Sequence, residues 1–311
     1  MYNSEHTIEK CVNNILHQSY KNIELLLIND CSTDHTFQIV TQLAADDSRI
    51  KLFQNKRNLG AGFTRNVGLE HATGEWITFC DADDYPDKNW ISDFVTGITN
   101  DIDMVIQGFN CDNWPQNTSG HIVAYEGIGN RDEVIDALCK HHVFGYLWCK
   151  IYRTSIIKEH SIRFENIDIE EDELFNLHYL KYVHQIACVP QCNYHYNYPD
   201  YYKKYGHVDN FQDVIKMFII ACNSFGNKPM RVKDMYVALS SDWLISAYRQ
   251  NHPTKHEKLS IYCKTISPYL PYAKNCRRTI RLLRYFIFPN NITLSHFGMT
   301  LYIKTIGLFK K

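Results

Sequence analysis

Apolar residues in the first part of the chain follow two alternating spacings, one typical of helices and one typical of buried strands. Ile8, Cys11 and Val12 belong to a series that recurs every three or four residues, which predicts an amphipathic helix close to the start. The near-continuous apolar run at residues 23–28 has the character of a parallel strand that is covered on both faces. A second helix and a short strand near residues 50–53 repeat this order. The alternation predicts an α/β fold with a mostly parallel sheet and flanking helices.

Residues 65–84 combine a helix end, a glycine turn, a short apolar strand and an acidic loop. Gly74 can supply the turn that ends the helix. Asp81, Asp83 and Asp84 then follow the strand at its carboxyl end, where open α/β sheets bind their ligands. Such carboxylates repel each other unless a cation lies among them, and hard oxygen ligands suit Mg²⁺ or Mn²⁺ that carries substrate phosphates. Alternatively, Asp83, Asp84 and Asp87 could cap the next helix and face its dipole, so both interpretations stay open here.

Four consecutive acids at residues 170–173 open another predicted helix, which runs to about Leu180. Acids in a first helical turn complement the partial positive charge of the helix N-terminus, and this accounts for two of them without any function. The other two require a further explanation.

Composition narrows the class of protein. The chain has 311 residues, of which 45% are hydrophobic, as in an ordinary globular protein. Eleven cysteines at irregular spacing, with no secretory apolar segment at the start, predict reduced thiols and a cytoplasmic setting. Gly60 and Gly62 do not complete a dinucleotide-binding fingerprint, because the third position is Arg65 rather than glycine.

The net charge of −1 hides a strong asymmetry. From Lys258 to the end there are ten Lys and Arg residues and no acid, so residues 1–257 hold 23 basic and 34 acidic residues. This segregation indicates an anionic partner for the C-terminal region.

The basic region also contains many apolar residues. Its 19 uncharged residues at 285–303 are too polar and too broken by proline and glycine for a transmembrane span. The prediction is therefore attachment to an anionic membrane surface. The alternative is a helical subdomain whose arginines pair with the acidic body; the arginines in question are Arg277, Arg278, Arg281 and Arg284.

Four segments together resemble glycosyltransferase family 2. Residues 65–75 read R-N-x-G-L-E-x-A-x-G-E and lead into D-A-D-D at 81–84. Residues 148–153 read W-x-K-x-Y-R, and E-D-x-x-F follows at 171–175. The resemblance covers roughly the first two-thirds of the chain, ending near residue 196.

The resemblance implies a GT-A type, Rossmann-like fold and a metal-dependent, inverting glycosyltransferase. The donor would be a nucleotide-sugar, with a UDP-sugar expected, and the acceptor a glycan or lipid-linked molecule in surface or capsular polysaccharide synthesis. Each implied role falls on one residue: Asp83 and Asp81 on the metal, with Asp81 also in the nucleotide region, Asp30 on the nucleobase, Arg65 on the nucleotide and Asp172 as the catalytic base.

Such a reaction needs two acidic sites, because a carboxylate bound to a metal is a poor base. The predicted organisation is a donor-binding half at residues 1–110, an acceptor-binding half with the base at 111–200, and, beyond the resemblance, a helical C-terminal region with a basic-aromatic tail at 201–311. No nucleic acid partner is expected. We expect a cytoplasmic protein that lies peripherally on the inner face of the cell membrane.

Two departures from the family pattern lead to expectations of their own. In the family an apolar first strand precedes the Tyr-Asn pair, whereas here Met1 stands directly before Tyr2. The alternative function is therefore an N-terminally truncated, inactive homologue that acts as a binding or scaffold module; a nucleotidyltransferase is a weaker alternative. Cys31 replaces a usual glycine, which is unfavourable only if that turn needs a positive φ.

Overall fold

The computed structural model describes residues 1–112, 121–141, 143–167, 170–197, 210–226 and 230–308. They belong to two compact units. The first contains Met1–Asn166 and Glu170–Asp200, and the second contains Ile167–Ile169 and Tyr201–Lys311. The two predicted halves at 1–110 and 111–200 both fall within the first unit, and the division between them stays a prediction.

Helices and strands alternate in the first part of this unit, up to residue 78, as the apolar spacing predicts. Its described helices are α1 (Ile8–Leu16), α2 (Thr36–Asp46), α3 (Ala61–His71), α4 (Trp90–Thr96), α5 (Arg131–Lys140), α6 (Thr154–Glu159) and α7 (Glu171–Leu180). Its described strands are β1 (Leu25–Asn29), β2 (Ile50–Gln54), β3 (Trp76–Thr78), β4 (Tyr85–Pro86), β5 (Met104–Gln107), β6 (Phe109–Asp112), β7 (His121–Ile122), β8 (Gly127–Asn130), β9 (Lys150–Arg153), β10 (Gln185–Val189) and β11 (Tyr194–Asn197).

The described strands form three sheets, of which the two larger ones are mixed in direction. β1 pairs with β2, a five-stranded sheet has the order β3-β9-β5-β10-β8, and a four-stranded sheet has the order β4-β11-β6-β7. Only three of the described pairings are parallel, namely β1 with β2, β5 with β10 and β6 with β11. The α/β class is confirmed, but a mostly parallel sheet is wrong, because β9 lies antiparallel between β3 and β5. A run of apolar residues indicates that both faces of a strand are covered. It does not indicate whether the strand is parallel or antiparallel to its neighbours.

Met1 lies beside the end of β1. Its amine donates a hydrogen bond to the Ile28 carbonyl at 3.1 Å, and the Asp30 amide donates to the Met1 carbonyl at 2.9 Å. These two bonds have the pattern of a parallel pair. β1 is therefore bonded on both of its edges at this end, to β2 and to Met1.

An aromatic cluster anchors the acidic loop and α7 to the same part of the core. The Phe164 and Phe175 rings stack with centroids 4.3 Å apart, and the Phe79 ring meets them edge-on at 5.6 and 5.8 Å. Phe79 stands two residues before Asp81, and Phe175 stands on α7. Edge and stacked contacts between packed rings fix geometry as well as burying area, so the two acidic segments share one support.

The described part of the second unit is helical, in agreement with the helical C-terminal region that the sequence predicts. Its described helices are α8 (Phe211–Phe225), α9 (Arg231–Arg249), α10 (Lys255–Thr265), α11 (Arg278–Leu282) and α12 (Ile292–Leu308), with 3₁₀ segments at Ser267–Tyr272 and Leu283–Tyr285. Within the described residues, none of the helices combines the length and the apolar character that crossing a bilayer requires.

Candidate active site

Arg65 joins the two acidic segments of the sequence. It stands on α3, while Asp81 lies in the loop after β3 and Glu171 and Asp172 lie in the first turn of α7. Its Nη2 donates a hydrogen bond to Asp81 Oδ1 at 3.0 Å. Its Nη1 donates to Asp172 Oδ1 at 2.7 Å and to Glu171 Oε1 at 3.1 Å. Three carboxylates from two distant segments therefore share one guanidinium.

Helix α3 approaches the segment before α7 closely enough to place Arg65 there. A Cβ added to Gly62 would lie 3.2 Å from Phe164 Cβ and 3.4 Å from Glu171 Cγ, so a glycine lets the helix come near. One turn on, the Asn66 side chain donates to the Phe164 carbonyl at 2.8 Å and accepts from the Phe164 amide at 2.9 Å. The side chain of Asn66 thus pairs with both backbone groups of Phe164. This pairing holds α3, and with it the neighbouring Arg65, against the segment before α7.

A buried hydrogen-bond chain holds α7 against β9. The Tyr152 hydroxyl donates to Asn176 Oδ1 at 2.8 Å. Asn176 Nδ2 then donates to the carbonyls of Phe144 at 3.0 Å and Gly145 at 2.8 Å. Buried polar groups that are fully paired in this way specify one arrangement. Asn176 stands one helical turn after Asp172, so the chain orients the residue that the resemblance assigns as the base.

The W-x-K-x-Y-R segment also helps to hold α7 against β9. Lys150 is fully buried, and its ammonium donates to the carbonyls of Val143 at 3.2 Å and of Tyr146. The Arg153 amide donates to the Tyr179 hydroxyl at 2.7 Å, which ties β9 to the end of α7. This motif is part of the family resemblance, which implies no role for its members, and no sequence pattern points to Asn176.

The surroundings of Asp172 change its acidity. Burial raises the pKa of Asp172 to about 7; the Arg65 guanidinium lowers it, and the neighbouring charges of Glu171 and Asp81 raise it further. Burial also disfavours the charge on Arg65, but the three carboxylates outweigh it and hold the arginine pKa above its ordinary value. A carboxyl group whose pKa lies near neutrality suits proton transfer at physiological pH.

The three acids of the loop at residues 81–84 have different environments. Asp81 is half-buried and bonded to Arg65. Asp83 is exposed and forms no hydrogen bond or ion pair with any other residue that the structure describes. Partial desolvation in the loop and the charge of Asp81 raise the pKa of Asp83.

Asp84 points away from this group into the protein. It is only 2% exposed, and its two oxygens accept from the Tyr194 hydroxyl and the Asn197 amide, each at 2.8 Å. Burial, followed by the charge of Asp81, raises the pKa of Asp84 to about 8. The Asp81 amide in turn donates to the Tyr194 hydroxyl at 3.2 Å. Asp84 and Tyr194 therefore shape the loop, although the sequence presents Asp84 as an equal member of the acidic cluster.

The remaining oxygens fit a hard divalent cation. No group of three or more His, Cys, Asp and Glu side chains able to hold a metal occurs among the described residues. Mg²⁺ usually takes one or two carboxylates together with waters and substrate phosphates, so a larger cluster is not required. Asp81 commits one oxygen to Arg65, whereas Asp83 commits none to another described residue. Asp83 and the second oxygen of Asp81 are thus the donor set that could hold Mn²⁺ or Mg²⁺.

Asp30 lies in a separate hydrogen-bond network at the end of β1. It is 3% exposed, and its carboxylate accepts from the side chain of Asn55 at 2.8 Å and from the amides of Leu59 at 2.8 Å and Gly60 at 2.9 Å. Burial acts to raise the pKa of Asp30, but these hydrogen bonds outweigh it and hold that pKa below its ordinary value. Gly60 has φ +84°, so the turn that opens α3 depends on glycine and on this carboxylate. A role of Asp30 toward a nucleobase stays a prediction.

Solved structures show which fold this is. The chain superimposes on residues 1–349 of TarS from Staphylococcus aureus, solved in complex with UDP-GlcNAc, with a TM-score of 0.74 and 19% identity over 98% of this chain and 90% of that one. It also matches a mannosyltransferase from Pyrobaculum calidifontis, solved with GDP-Man and Mn²⁺, with a TM-score of 0.52 and 15% identity over 100% of this chain and 86% of that one. The fold is of the GT-A type.

The sequence family agrees with the fold. Residues 1–161 match the pattern that defines glycosyl transferase family 2. The chain belongs to this family.

Named relatives share part of their length with the chain. EpsH, a glycosyltransferase of Bacillus subtilis strain 168, is 28% identical over 201 residues, which cover 63% of this chain and 58% of EpsH. TarS of Staphylococcus aureus strain Mu50, a poly(ribitol-phosphate) beta-N-acetylglucosaminyltransferase, is 29% identical over 203 residues, which cover 63% of this chain and 34% of TarS. The chain therefore spans between a third and three-fifths of the length of these two relatives.

Proposed function

We propose that this chain is a metal-dependent, inverting glycosyltransferase that moves a sugar from a nucleotide-sugar, with a UDP-sugar as the expected donor, to a glycan or lipid-linked acceptor in surface polysaccharide synthesis. The observation that carries the proposal is the shared guanidinium of Arg65. It lies between Asp81 Oδ1 at 3.0 Å and Asp172 Oδ1 at 2.7 Å. The Arg65 guanidinium thus lies between two acidic segments. In the loop, Asp83 pairs with no other described residue, and on the helix the pKa of Asp172 is raised toward neutrality.

The two sides have distinct tasks in this proposal. Asp83 and Asp81 would hold Mn²⁺ or Mg²⁺, which when bound would supply positive charge to a departing diphosphate. Asp172 removes the proton from the acceptor hydroxyl, whose oxygen then attacks the anomeric carbon while the bond to the diphosphate breaks. Attack on the face opposite the leaving group inverts that carbon. Arg65 keeps a fraction of Asp172 ionised, because its charge lowers the pKa that burial raises.

The comparisons support the donor and the metal by analogy alone. TarS was solved with UDP-GlcNAc, and the Pyrobaculum enzyme with GDP-Man and Mn²⁺. TarS is also named for transfer to poly(ribitol phosphate), a polymer acceptor. We place the enzyme in the cytoplasm, peripherally on the inner face of the membrane, where a lipid-linked acceptor would be within reach.

Nucleotide release tests the proposal. The purified chain is incubated with a panel of UDP- and GDP-sugars, with Mn²⁺, with Mg²⁺ or with a chelator, and Asp172→Asn serves as the matched inactive form. We expect release of UDP from one donor only when metal is present, and loss of that release in Asp172→Asn. Nucleotide binding without turnover of any donor would contradict the enzyme and favour the alternative of a binding or scaffold module.

A further inference from the structure

We infer that residues 277–304 form a docking surface for a phospholipid bilayer with anionic headgroups, and we name it the tail surface. It comprises an apolar stripe on α12 and the exposed arginines around α11. The inference rests on the proposed function only for its purpose, which is to hold the enzyme beside a lipid-linked acceptor. The contact itself depends on exposed apolar residues and on positive charge.

Helix α12 is apolar on two sides, and only one of them is covered. On the inner side, Met299 and Tyr302 are at most 1% exposed, and the Tyr302 hydroxyl donates to the Thr279 carbonyl at 2.7 Å. On the outer side, Leu294 is 49% exposed and Phe297 is 68% exposed. Surface helices of globular proteins normally carry polar residues on that face. Among the described residues of the second unit, the outer apolar face therefore does not contribute to packing.

The outer residues form one continuous stripe. Leu294, Phe297 and Leu301 occur at i, i+3 and i+7, the spacing of neighbours on one side of a helix, and Leu301 is 47% exposed. Phe288 extends the apolar area beyond the helix: it is 43% exposed, and its amide donates to the Ser295 hydroxyl at 2.7 Å, directly beside Leu294. Contiguous exposed apolar residues of this kind mark an interaction surface.

Positive charge accompanies the stripe. Arg278, Arg281 and Arg284 are exposed, and none of them forms an ion pair with another residue in the described ranges. Arg277 does pair, with Asp242. Thus one of the four arginines follows the alternative that the sequence left open, in which arginines pair with acids of the body, and the other three do not. No acid lies between Lys258 and the end of the chain; Lys310 and Lys311, which add to this charge, lie outside the described residues.

A bilayer matches both properties at once. Anionic headgroups attract the arginines, while leucine and phenylalanine enter the boundary between headgroups and acyl chains. Tyr285 is 60% exposed and stacks with the Arg284 guanidinium, whose carbon lies 4.7 Å from the ring centroid, and such amphipathic rings favour the membrane interface. A second copy of this chain would oppose like charges, and like charges facing each other across an interface are unfavourable. Nucleic acid would satisfy the arginines but leave the leucines exposed.

Vesicle sedimentation tests the tail surface with the full chain. The vesicles contain either phosphatidylcholine alone or phosphatidylcholine mixed with phosphatidylglycerol, each at low and high salt. We expect binding to the mixed vesicles that weakens with salt and little binding to neutral ones. Arg278→Gln, Arg281→Gln and Arg284→Gln together should weaken binding about 100-fold, since each basic residue near an anionic surface contributes about fivefold. Phe297→Ser with Leu294→Ser should also remove most of the binding.

Two substitutions elsewhere in the second unit provide matched controls. Ile219→Ser removes an apolar side chain of α8 that is 42% exposed. Lys264→Gln removes an exposed charge of α10. Both should bind like the unchanged protein. Equal binding to neutral and anionic vesicles, no binding to either, or equal losses in controls and tail variants would overturn the inference.

Two further measurements separate this inference from its rivals. Size-exclusion chromatography with light scattering detects a dimer, and a dimer that Phe297→Ser abolishes would assign the stripe to a second copy and overturn the bilayer. Nucleotide release without vesicles should be unchanged in the tail variants. Because sedimentation requires no turnover, vesicle binding by a chain that hydrolyses no donor would leave the tail surface supported and the proposed enzyme refuted.

Discussion

The acidic loop at residues 81–84 and the acidic helix start at 170–173 distribute their carboxylates differently. In the loop, one acid meets Arg65, one is exposed and one is buried beneath Tyr194. On the helix, two adjacent acids both reach Arg65 from a partly desolvated position. The loop thus contains a carboxylate that pairs with no other described residue, whereas the helix contains a carboxyl group whose pKa is raised to about 7. Similar composition therefore supports two different kinds of chemistry.

The backbone explains the difference. The loop turns after only three residues of β3, so its successive side chains point to different environments. Glu170 adopts a left-handed conformation with φ 59° just before α7, and the helix then carries the following acids in regular steps. The hydrogen bond between Tyr152 and Asn176 fixes the position of this helix, and therefore of its first acids, relative to Arg65.

Removing the base should give the largest loss. Asp172→Asn keeps the shape but abolishes basicity, so we expect kcat to fall by a factor on the order of 10² to 10⁴, with donor affinity unchanged. Steady-state kinetics and calorimetric titration of the nucleotide measure the two quantities. Glu173→Gln, the next acid on the same helix, is the control and should keep kcat close to that of the unchanged protein. Equal losses in both variants would mean that the helix acids act only through the helix dipole.

The loop should depend on one particular acid. Asp83→Ala should lower kcat/KM by a factor on the order of 10² and remove its dependence on Mn²⁺, because a bound metal contributes several kcal/mol of transition-state stabilisation. Asp84→Asn is the control, because Asp84 points into the protein, burial raises its pKa to about 8, and the amide preserves its size. A metal titration of activity compares the variants. If Asp84→Asn lost metal dependence and Asp83→Ala kept it, the assignment of the loop acids would be wrong.

The acidity of Asp172 predicts the pH profile. Its pKa is raised to about 7, and the reaction needs the ionised form, so kcat/KM should rise with pH through about 7. One pH unit below the pKa, about one tenth of the plateau should remain. Because Arg65 lowers this pKa, Arg65→Gln should move the acid limb to higher pH. An acid limb that stays in place in Arg65→Gln would show that another group controls the profile.

A substitution outside both segments should change stability and leave the chemistry intact. Cys31 has φ 60°, the conformation in which the resemblance expects glycine. Cys31→Gly should raise the free energy of unfolding by about 1 kcal/mol at most, because relief of the left-handed strain is partly offset by the greater freedom of glycine in the unfolded chain. Denaturant unfolding measures this change, and Cys31→Ala, which keeps a Cβ, should show no gain. A large change of kcat in Cys31→Gly would mean that the effects seen in the acidic segments reflect stability rather than charge.

Some features of the site were accessible from the sequence because they are local. The helix that carries Arg65, the acids after a short strand and the acids at a helix start all follow from spacing and residue type within a few positions. The resemblance to glycosyltransferase family 2 identified the same segments, and the match to that family over residues 1–161 confirmed it. The α/β class was likewise accessible, because burial of helix faces and strands leaves a periodic trace in the chain.

Other features depend on residues that are far apart in the chain. Arg65 and Asp172 are separated by 107 positions, and Asp84 and Tyr194 by 110. Neither spacing contains information about which acid meets the guanidinium and which turns into the core.

The sequence by itself determined the class of fold, the family and the two acidic segments, because periodicity, turn residues and motifs are properties of neighbouring positions. The tertiary structure alone decided that β9 runs antiparallel to its neighbours and that Asn176 orients α7. It also decided that Cys31 takes a positive φ and that Asp172 and Asp81 both pair with Arg65. The physical reason is that strand direction, desolvation and the pairing of charges depend on which distant segments the packing brings together.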